Sequence, residues 1–490
     1  MTVPARLCVT VTAKTTAELR ENRDAVADAD LIELRLDSVG DPDVAGALAG
    51  RRCPAIVTCR PTWEGGMFGG SEPERKALLS EAIRLGAEYV DVEWHARFDD
   101  LVAHRNGRGI VLSMHDFSGV PADLPDQVQA MRATGAEIVK IAAQTTRLAD
   151  CVPLLDVGAR AGQRGLVVSG MGDHGIATRI LAARFGSMWT YAGALREIGQ
   201  LSAPSLLRDF HFRSLSDTSD VYGIVGGSVA HSVSPAMHNA AFRAADIDAV
   251  YLPLPAVDAD DFVAFGKAIG IRGASITIPH KVTLFDRVDE VNSVARRIGA
   301  INTIRVTGGR WVGVNTDVSG FLQPLQNSVD LKSTRASVLG AGGAARAVAV
   351  ALSSSGSTVR VHARQTAQAQ DIAAMVGAEV GPWPPESGSW DLLVNCTPVG
   401  MHPRVDESPI PADHLTGSIV YDLVYNPTTT RLLREAAARG CRTIGGLDML
   451  VGQAEEQFHW WTDTAPAAGV MRDAALKRLA EFVRDENHVV

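Results

Sequence analysis

From Leu7 to about Phe210 the chain alternates short runs rich in apolar and β-branched residues with stretches whose apolar positions recur at helical spacing. The runs are LCVTVTA from Leu7, LIELRLD from Leu31, AIVTCR from Ala55, YVDVE from Tyr89, GIVLSMHDF from Gly109, IVKIAAQ from Ile138, GLVVSGM from Gly165 and MWTYAG from Met188. Amphipathic stretches such as Glu72–Leu85 and Asp123–Thr134 lie between them. Eight strand-helix units in this length predict a compact (β/α)8 barrel, which carries its chemistry where strands end and loops begin.

The polar residues of these runs sit near such ends. Glu33, Arg35 and Asp37 close the second strand, Arg60 the third, and His115 with Asp116 the fifth. Lys140 stands between Val139 and Ile141 in the sixth, inside a run apolar enough to be buried. A buried ammonium must be paired, or lose its proton and become a nucleophile. Alternatively the side chain snorkels to water from a strand end. Arg35 with Asp37 fits a rim salt bridge, and His115 alone fits a satisfied core histidine. Brought together at one barrel mouth, they form an amine nucleophile, an imidazole and several guanidiniums. That set suits a small anionic substrate bearing a carbonyl, with the neighbouring cations favouring the neutral amine.

The motifs ELRLD, TCRPTWEGG, SMHDF, VKIA and FGSMWTYA…LSAP, in this order from Met1 to about Ser214, resemble type I 3-dehydroquinate dehydratase. The resemblance implies a Schiff base between Lys140 and the C3 carbonyl of 3-dehydroquinate. His115 would move the protons, and Glu64 or Glu33 would orient the site. It also implies substrate contacts from Thr10, Glu33, Arg35, Arg60, Arg179 as the carboxylate-binding arginine, and Ser202 on a lid. Where the family has S-A-P-G-Q, this chain reads Ser202-Ala203-Pro204-Ser205-Leu206. A lid glutamine is thus replaced by Leu206, and substrate affinity is the expected point of departure.

FRSLSDTSDV, between Phe212 and Val221, reads as a tight polar linker. A second α/β pattern then opens with VYGIVGGSVAHSVSPAMHNAAF. Ser232 and Ser234 flank Val233 ahead of a helix, as ligand-facing hydroxyls or as a helix cap. GASITIPHK carries Thr277 and Lys281, IGAINTI carries Asn302, and GVNTDVSGF carries Asp317. Lys281 and Asp317 suit either an ordinary ion pair or a proton-relay couple. ASVLGAGGAARAVAVAL then places a strand before Gly340-Ala341-Gly342-Gly343-Ala344-Ala345 and a helix after it, the G-x-G-x-x-A dinucleotide pattern. The next strand, TVRVHARQ, ends on Arg364 instead of an acidic residue, which favours NADP over NAD.

SVSPAMHN, ITIPHK, GAINT, NTDVSGF, GAGGAAR, NCTPVGM, YDLVYNP and GLDMLVGQAEEQF, from about Tyr222 to the end, resemble shikimate dehydrogenase. The resemblance implies that Ser232, Ser234, Thr277, Asn302, Asp317, Tyr425 and Gln453 contact shikimate or 3-dehydroshikimate, and that Lys281 pairs with Asp317 in proton transfer. Gly340, Ala341, Gly342, Gly343, Ala344, Arg364, Thr397 and Gly446 would line the nucleotide. The family's N-R-T is Ala363-Arg364-Gln365 here, leaving a thinner phosphate pocket.

Three domains follow: 1–214, the barrel; 220–325, a shikimate-binding α/β domain; and 326–490, a Rossmann domain whose C-terminal helices return to the substrate domain. Composition adds little. A formal charge of -9 gives no reason to expect nucleic acid. The six cysteines are scattered, without a metal-binding pattern, and no long apolar run suggests a leader or membrane span. A cytoplasmic enzyme is expected, acting on small molecules with no metal and no membrane partner. The expected function is bifunctional: Schiff-base dehydration of 3-dehydroquinate, then NADPH-dependent reduction to shikimate. One alternative is a fusion acting on quinate. Another is a metabolite-sensing regulator that has lost its chemistry, against which Lys140, His115, Lys281 and Asp317 all speak.

Overall fold

A computed structural model describes residues 4–161, 165–326 and 329–487. Eight strands build the first sheet: β1 (Arg6–Val11), β2 (Leu31–Arg35), β3 (Ala55–Thr58), β4 (Tyr89–Glu93), β5 (Ile110–Asp116), β6 (Ile138–Gln144), β7 (Leu166–Met171) and β8 (Trp189–Ala192). Their order, β7-β6-β5-β4-β3-β2-β1-β8, is that of a parallel barrel. The Met188 N–H donates to the Leu166 carbonyl at 2.9 Å, across the remaining seam. The intervening helices follow from local chemistry. Glu72–Arg84 starts at a capping box in which Ser71 and Glu74 satisfy each other's backbone N–H groups.

Two further sheets follow. One holds β9 (Asp220–Gly226), β10 (Ala249–Pro255), β11 (Gly273–Ile276), β12 (Glu290–Val291), β13 (Thr303–Thr307) and β14 (Arg310–Val314), in the order β10-β9-β11-β13-β14-β12. The other holds β15 (Arg335–Leu339), β16 (Thr358–His362), β17 (Glu379–Val380), β18 (Leu392–Asn395), β19 (Ile419–Asp422) and β20 (Arg442–Ile444). Its order, β17-β16-β15-β18-β19-β20, is the 3-2-1-4-5-6 arrangement of a doubly wound dinucleotide-binding fold. The strand order reverses between β15 and β18, and a ligand crevice opens beyond the carboxyl ends of such strands.

By compactness the chain divides into two units, residues 1–221 with 248–271, and 222–247 with 272–490. In this division residues 248–271 group with the first 221, and Asp261 belongs to that stretch. The Asp261 carboxylate, with no exposed surface, accepts N–H groups from Leu148 (3.2 Å), Ala149 (2.8 Å) and Val257 (3.1 Å), and Arg147 Nε at 3.2 Å. The expected linker is also partly built in. Phe212 and Leu215 are buried, and Arg213 Nη1 reaches Asp30 at 2.8 Å. Among the described residues no helix is long and apolar enough to cross a membrane.

Candidate active sites

In the first unit, strand register brings charge to one cavity of about 220 Å3. Its lining includes Glu33, Arg35, Arg60, Glu64, His115, Lys140 and Arg179. Lys140 comes from β6, opposite Ser113 of β5, and Asp91 lies one strand further on in β4. Lys140 Nζ donates to Asp91 Oδ2 at 3.0 Å, stands 3.6 Å from Glu33 Oε1, and lies 4.4 Å from the centre of the Tyr191 ring.

The nearest charges to Lys140 are therefore carboxylates, where the sequence led us to expect cations. Arg35, Arg60 and Arg75 each have an acid of their own. Arg35 makes two bonds to Asp37 (2.8 and 2.7 Å), and Arg60 donates to Asp91 (2.8 Å) and Glu93 (2.7 Å). Arg75, fully buried, also bonds Glu93. Burial pushes the Asp91 carboxyl up, but Arg60 and Lys140 outweigh it and hold the group below the usual carboxylate range.

Arg179 differs from the other guanidiniums. It is 3% exposed and donates from Nη2 to the Ile198 carbonyl at 2.8 Å, while its buried Nε has no partner. No carboxylate pairs with it among the described residues, and burial lowers its pKa to about 10. An unpaired cation in an otherwise compensated pocket is a place for an anion.

Glu64 and His115 form a second pair. Glu64 Oε1 accepts both the His115 backbone N–H (3.0 Å) and ring Nδ1 (2.9 Å). Glu64 therefore fixes the orientation of the imidazole ring through Nδ1. Burial first, then Arg60 and Lys140, push the imidazole well below its ordinary value, so it is neutral at pH 7. Burial raises Glu64 to about 8, against the pull of Arg60.

Three expected contacts fall elsewhere. Thr10 Oγ1 donates to Glu33 at 2.9 Å, steadying that carboxylate without lining the cavity. Ser202 is exposed, and its hydroxyl accepts the Ser205 N–H at 3.2 Å. Leu206, expected on a lid over the substrate, is fully buried. The preceding loop lines the cavity instead, through Leu195, Glu197, Ile198 and Gln200. Asp91 and Glu93 went unnamed from sequence; their only signal was two acids inside the apolar run YVDVE.

The second unit has two cavities. One, of about 160 Å3, is lined by Ser234, Thr277, Lys281, Asn302, Asp317, Tyr425 and Gln453 among others. Lys281 Nζ bonds Asp317 Oδ2, and Asn302 Nδ2 donates to Asp317 Oδ1 at 2.8 Å. Asn302 is fixed in turn: its Oδ1 accepts the Thr316 N–H at 2.8 Å. Ser232 is not in the lining; its hydroxyl accepts the Ser234 N–H at 3.2 Å. Ser234, expected either to face ligand or to cap the helix, is instead its first residue, after Val233. Ser275 and Gln457, joined at 2.7 Å, are lining residues that the sequence reading missed.

The other cavity, about 850 Å3, opens at the topological switch between β15 and β18. Gly340, Ala341, Gly342, Arg364 and Thr397 line it. Gly340 has φ +106°, and a Cβ there would come within 3.1 Å of Thr397 Cγ2. A Cβ on Gly342 would meet nothing within 4 Å, leaving open space above the turn for a phosphate. The helix Gly343–Ser354 starts there, directing its N-terminus at the same space. These residues fit a dinucleotide. The remaining nucleotide assignments move: Ala344 and Gly446 line the smaller cavity, and Gly343 abuts the Lys281 stem, where a Cβ would lie 3.2 Å from Cδ.

Comparison with known proteins matches the two ends of the chain to different families. Residues 7–217 match the family model of type I 3-dehydroquinase, 224–304 the shikimate dehydrogenase substrate binding domain, and 446–476 the shikimate 5'-dehydrogenase C-terminal domain. A bifunctional 3-dehydroquinate dehydratase/shikimate dehydrogenase of Arabidopsis thaliana, described as chloroplastic, is 34% identical over 472 residues, covering 89% of this chain and 78% of that protein. A shikimate dehydrogenase (NADP(+)) of Methanothermobacter thermautotrophicus is 38% identical over 279 residues, 54% of this chain and 98% of that one. Among solved structures, the Thermus thermophilus shikimate 5-dehydrogenase in complex with NADP(H) and shikimate superposes with a TM-score of 0.50 at 37% identity. It covers 53% of this chain and 99% of its own.

Proposed function

Because this chain belongs to the family of bifunctional 3-dehydroquinate dehydratases/shikimate dehydrogenases, we propose a specific assignment of its residues to two successive reactions. The chain is a lyase and an NADP-dependent oxidoreductase of the shikimate pathway. It dehydrates 3-dehydroquinate to 3-dehydroshikimate and reduces that product to shikimate.

In the barrel, Lys140 is the nucleophile. Its neutral amine attacks the C3 carbonyl, the C3 oxygen leaves as water, and the resulting iminium draws electrons from the adjacent carbon. His115 Nε2 takes the proton from that carbon and returns one to the departing C1 hydroxyl, which leaves as water. After the C1 hydroxyl has left, a water molecule hydrolyses the iminium, restoring the C3 carbonyl and freeing Lys140. Glu64 holds the imidazole in the orientation this requires. Arg179 takes the substrate carboxylate, with Arg35, Arg60 and Glu33 ordering the remaining polar groups.

In the second unit, Lys281 gives the proton that turns the carbonyl oxygen into a hydroxyl, while Asp317 and Asn302 hold its ammonium in place. Ser234, Thr277, Tyr425 and Gln453 orient the ring. Bound NADPH supplies the hydride. Gly340, Ala341, Gly342 and the helix start would hold its pyrophosphate, Thr397 would line the nucleotide, and Arg364 would face the 2′-phosphate. A reducing compartment such as the cytoplasm suits its six free cysteines.

The observation that carries the barrel assignment is the meeting of Lys140, a neutral His115 and an acid-free Arg179 in one cavity. The test supplies 3-dehydroquinate and NADPH and follows loss of cofactor absorbance. Wild type consumes NADPH. Lys140→Ala consumes it only when 3-dehydroshikimate is given instead. Normal NADPH consumption from 3-dehydroquinate by this variant would overturn the assignment.

A further inference from the structure

NADP differs from NAD by one phosphate monoester, which carries roughly 1.5 to 2 negative charges at neutral pH. Arg364 supplies a single positive charge against it. Its neighbours in the cavity lining, Gln365 and Gln368, are neutral. A second cation lining the same cavity is Arg404, forty residues on and outside every motif singled out from the sequence. Among the described lining residues, Arg364 and Arg404 are the only lysine or arginine side chains.

The fold explains how Arg404 can reach the adenosine side. Arg364 follows β16, whereas Arg404 follows β18, on the other side of β15. The segment after Arg404 turns back, however. Ile410, buried, belongs to a core patch against which Trp383 packs, and Trp383 follows β17, the strand paired with β16. Trp383 lines the nucleotide cavity as well. Arg404 is held only loosely, by Glu407 at 3.5 Å, with both side chains largely exposed. A solvent-exposed pair of this kind resists separation weakly.

Resting on the reading of this cavity as the NADP site, we propose that Arg404 is a second specificity-determining arginine, pairing with Arg364 on the 2′-phosphate. Glu407 is then a stand-in counter-charge that yields to the cofactor.

The test uses the whole chain and two matched ligands. For Arg404→Ala, affinity for adenosine 2′,5′-bisphosphate, measured by calorimetry, falls roughly tenfold or more, the worth of a charge-assisted hydrogen bond. Affinity for 5′-AMP is unchanged. In steady state, KM for NADPH rises by a similar factor, while KM for NADH and dehydratase activity stay the same. Glu407→Gln moves the bisphosphate affinity the other way. An equal loss for both ligands would assign Arg404 to the shared part of the nucleotide or to loop structure, and overturn the proposal. So would no loss for either. Failure of the underlying reading looks different: wild type itself would bind the bisphosphate no better than 5′-AMP.

Discussion

Lys140 Nζ donates to Asp91 Oδ2 at 3.0 Å, and the other oxygen of that carboxylate accepts Arg60 (2.8 Å) and the Ser113 hydroxyl (2.6 Å). One buried acid thus couples the proposed nucleophile to the guanidinium network around it. In the resting site Asp91 holds Lys140 Nζ in place beside Arg60 and Ser113. The neutral imidazole of His115 lines the same cavity, and Arg179 stands ready for the charge of an arriving substrate.

Replacing Asp91 with Asn keeps the shape and removes the charge. Breaking a buried ionic network in this way costs about 3 kcal/mol or more, because Arg60 loses a counter-ion in a dry setting. Denaturant unfolding of Asp91→Asn should show that loss in the barrel, and dehydratase kcat should fall. Reduction of added 3-dehydroshikimate should stay near wild type. Unaltered stability would mean that Glu93 alone suffices for Arg60.

Glu64 gives a pH signature. Its ordinary value is 4.5, and burial raises it to about 8 in the folded chain. The folded state therefore holds this proton more tightly than the unfolded state. The resulting stabilisation is fully present below about pH 4.5 and is lost as pH rises through about 8. Glu64→Gln cannot titrate, so its unfolding midpoint should decline less between pH 5 and 9 than that of wild type. Parallel declines would contradict the assignment.

Leu206 yields a prediction opposite in kind to the one its motif suggests. The side chain is fully buried, so Leu206→Gln places an amide among apolar groups without water. An unsatisfied buried amide costs about 1–3 kcal/mol. The variant should lose stability of that order in thermal unfolding, with no improvement in the dehydratase KM. A lower KM would restore residue 206 to the substrate lid.

Lys281→Ala removes the proposed proton donor of the second reaction. Such proton transfer contributes about 10²–10⁴-fold to rate. Shikimate oxidation by this variant should fall within that range in kcat, with 3-dehydroquinate dehydration unchanged. Asn302→Ala, which frees one oxygen of Asp317, should cause a smaller loss. Equal losses in both reactions of either variant would point to misfolding.

Most of the architecture was readable from the chain because its signals are local. Eight runs of strand period gave the barrel, and Gly340-Ala341-Gly342 between a strand and a helix gave the nucleotide turn. His115 and Lys140 stood out as polar residues within apolar strands, and Lys281, on a short helix, by its motif. The misses share a cause: each depends on pairing across the fold. Asp91 meets Lys140 only through the register of β4, β5 and β6, and Gln457 reaches Ser275 from 182 residues away. Leu206 and Ser202 were assigned by motif position, but packing turned one into the core and used the other to cap a turn.

The claim on which the rest depends is that Lys140 bonds covalently to the keto acid. Borohydride added to the enzyme turning over 3-dehydroquinate should reduce that bond, inactivate the dehydratase and add the ligand's mass to the peptide containing Lys140. Reductase activity should survive in the same sample. A chain that stays active and unlabelled, or that is labelled at another lysine, would contradict it.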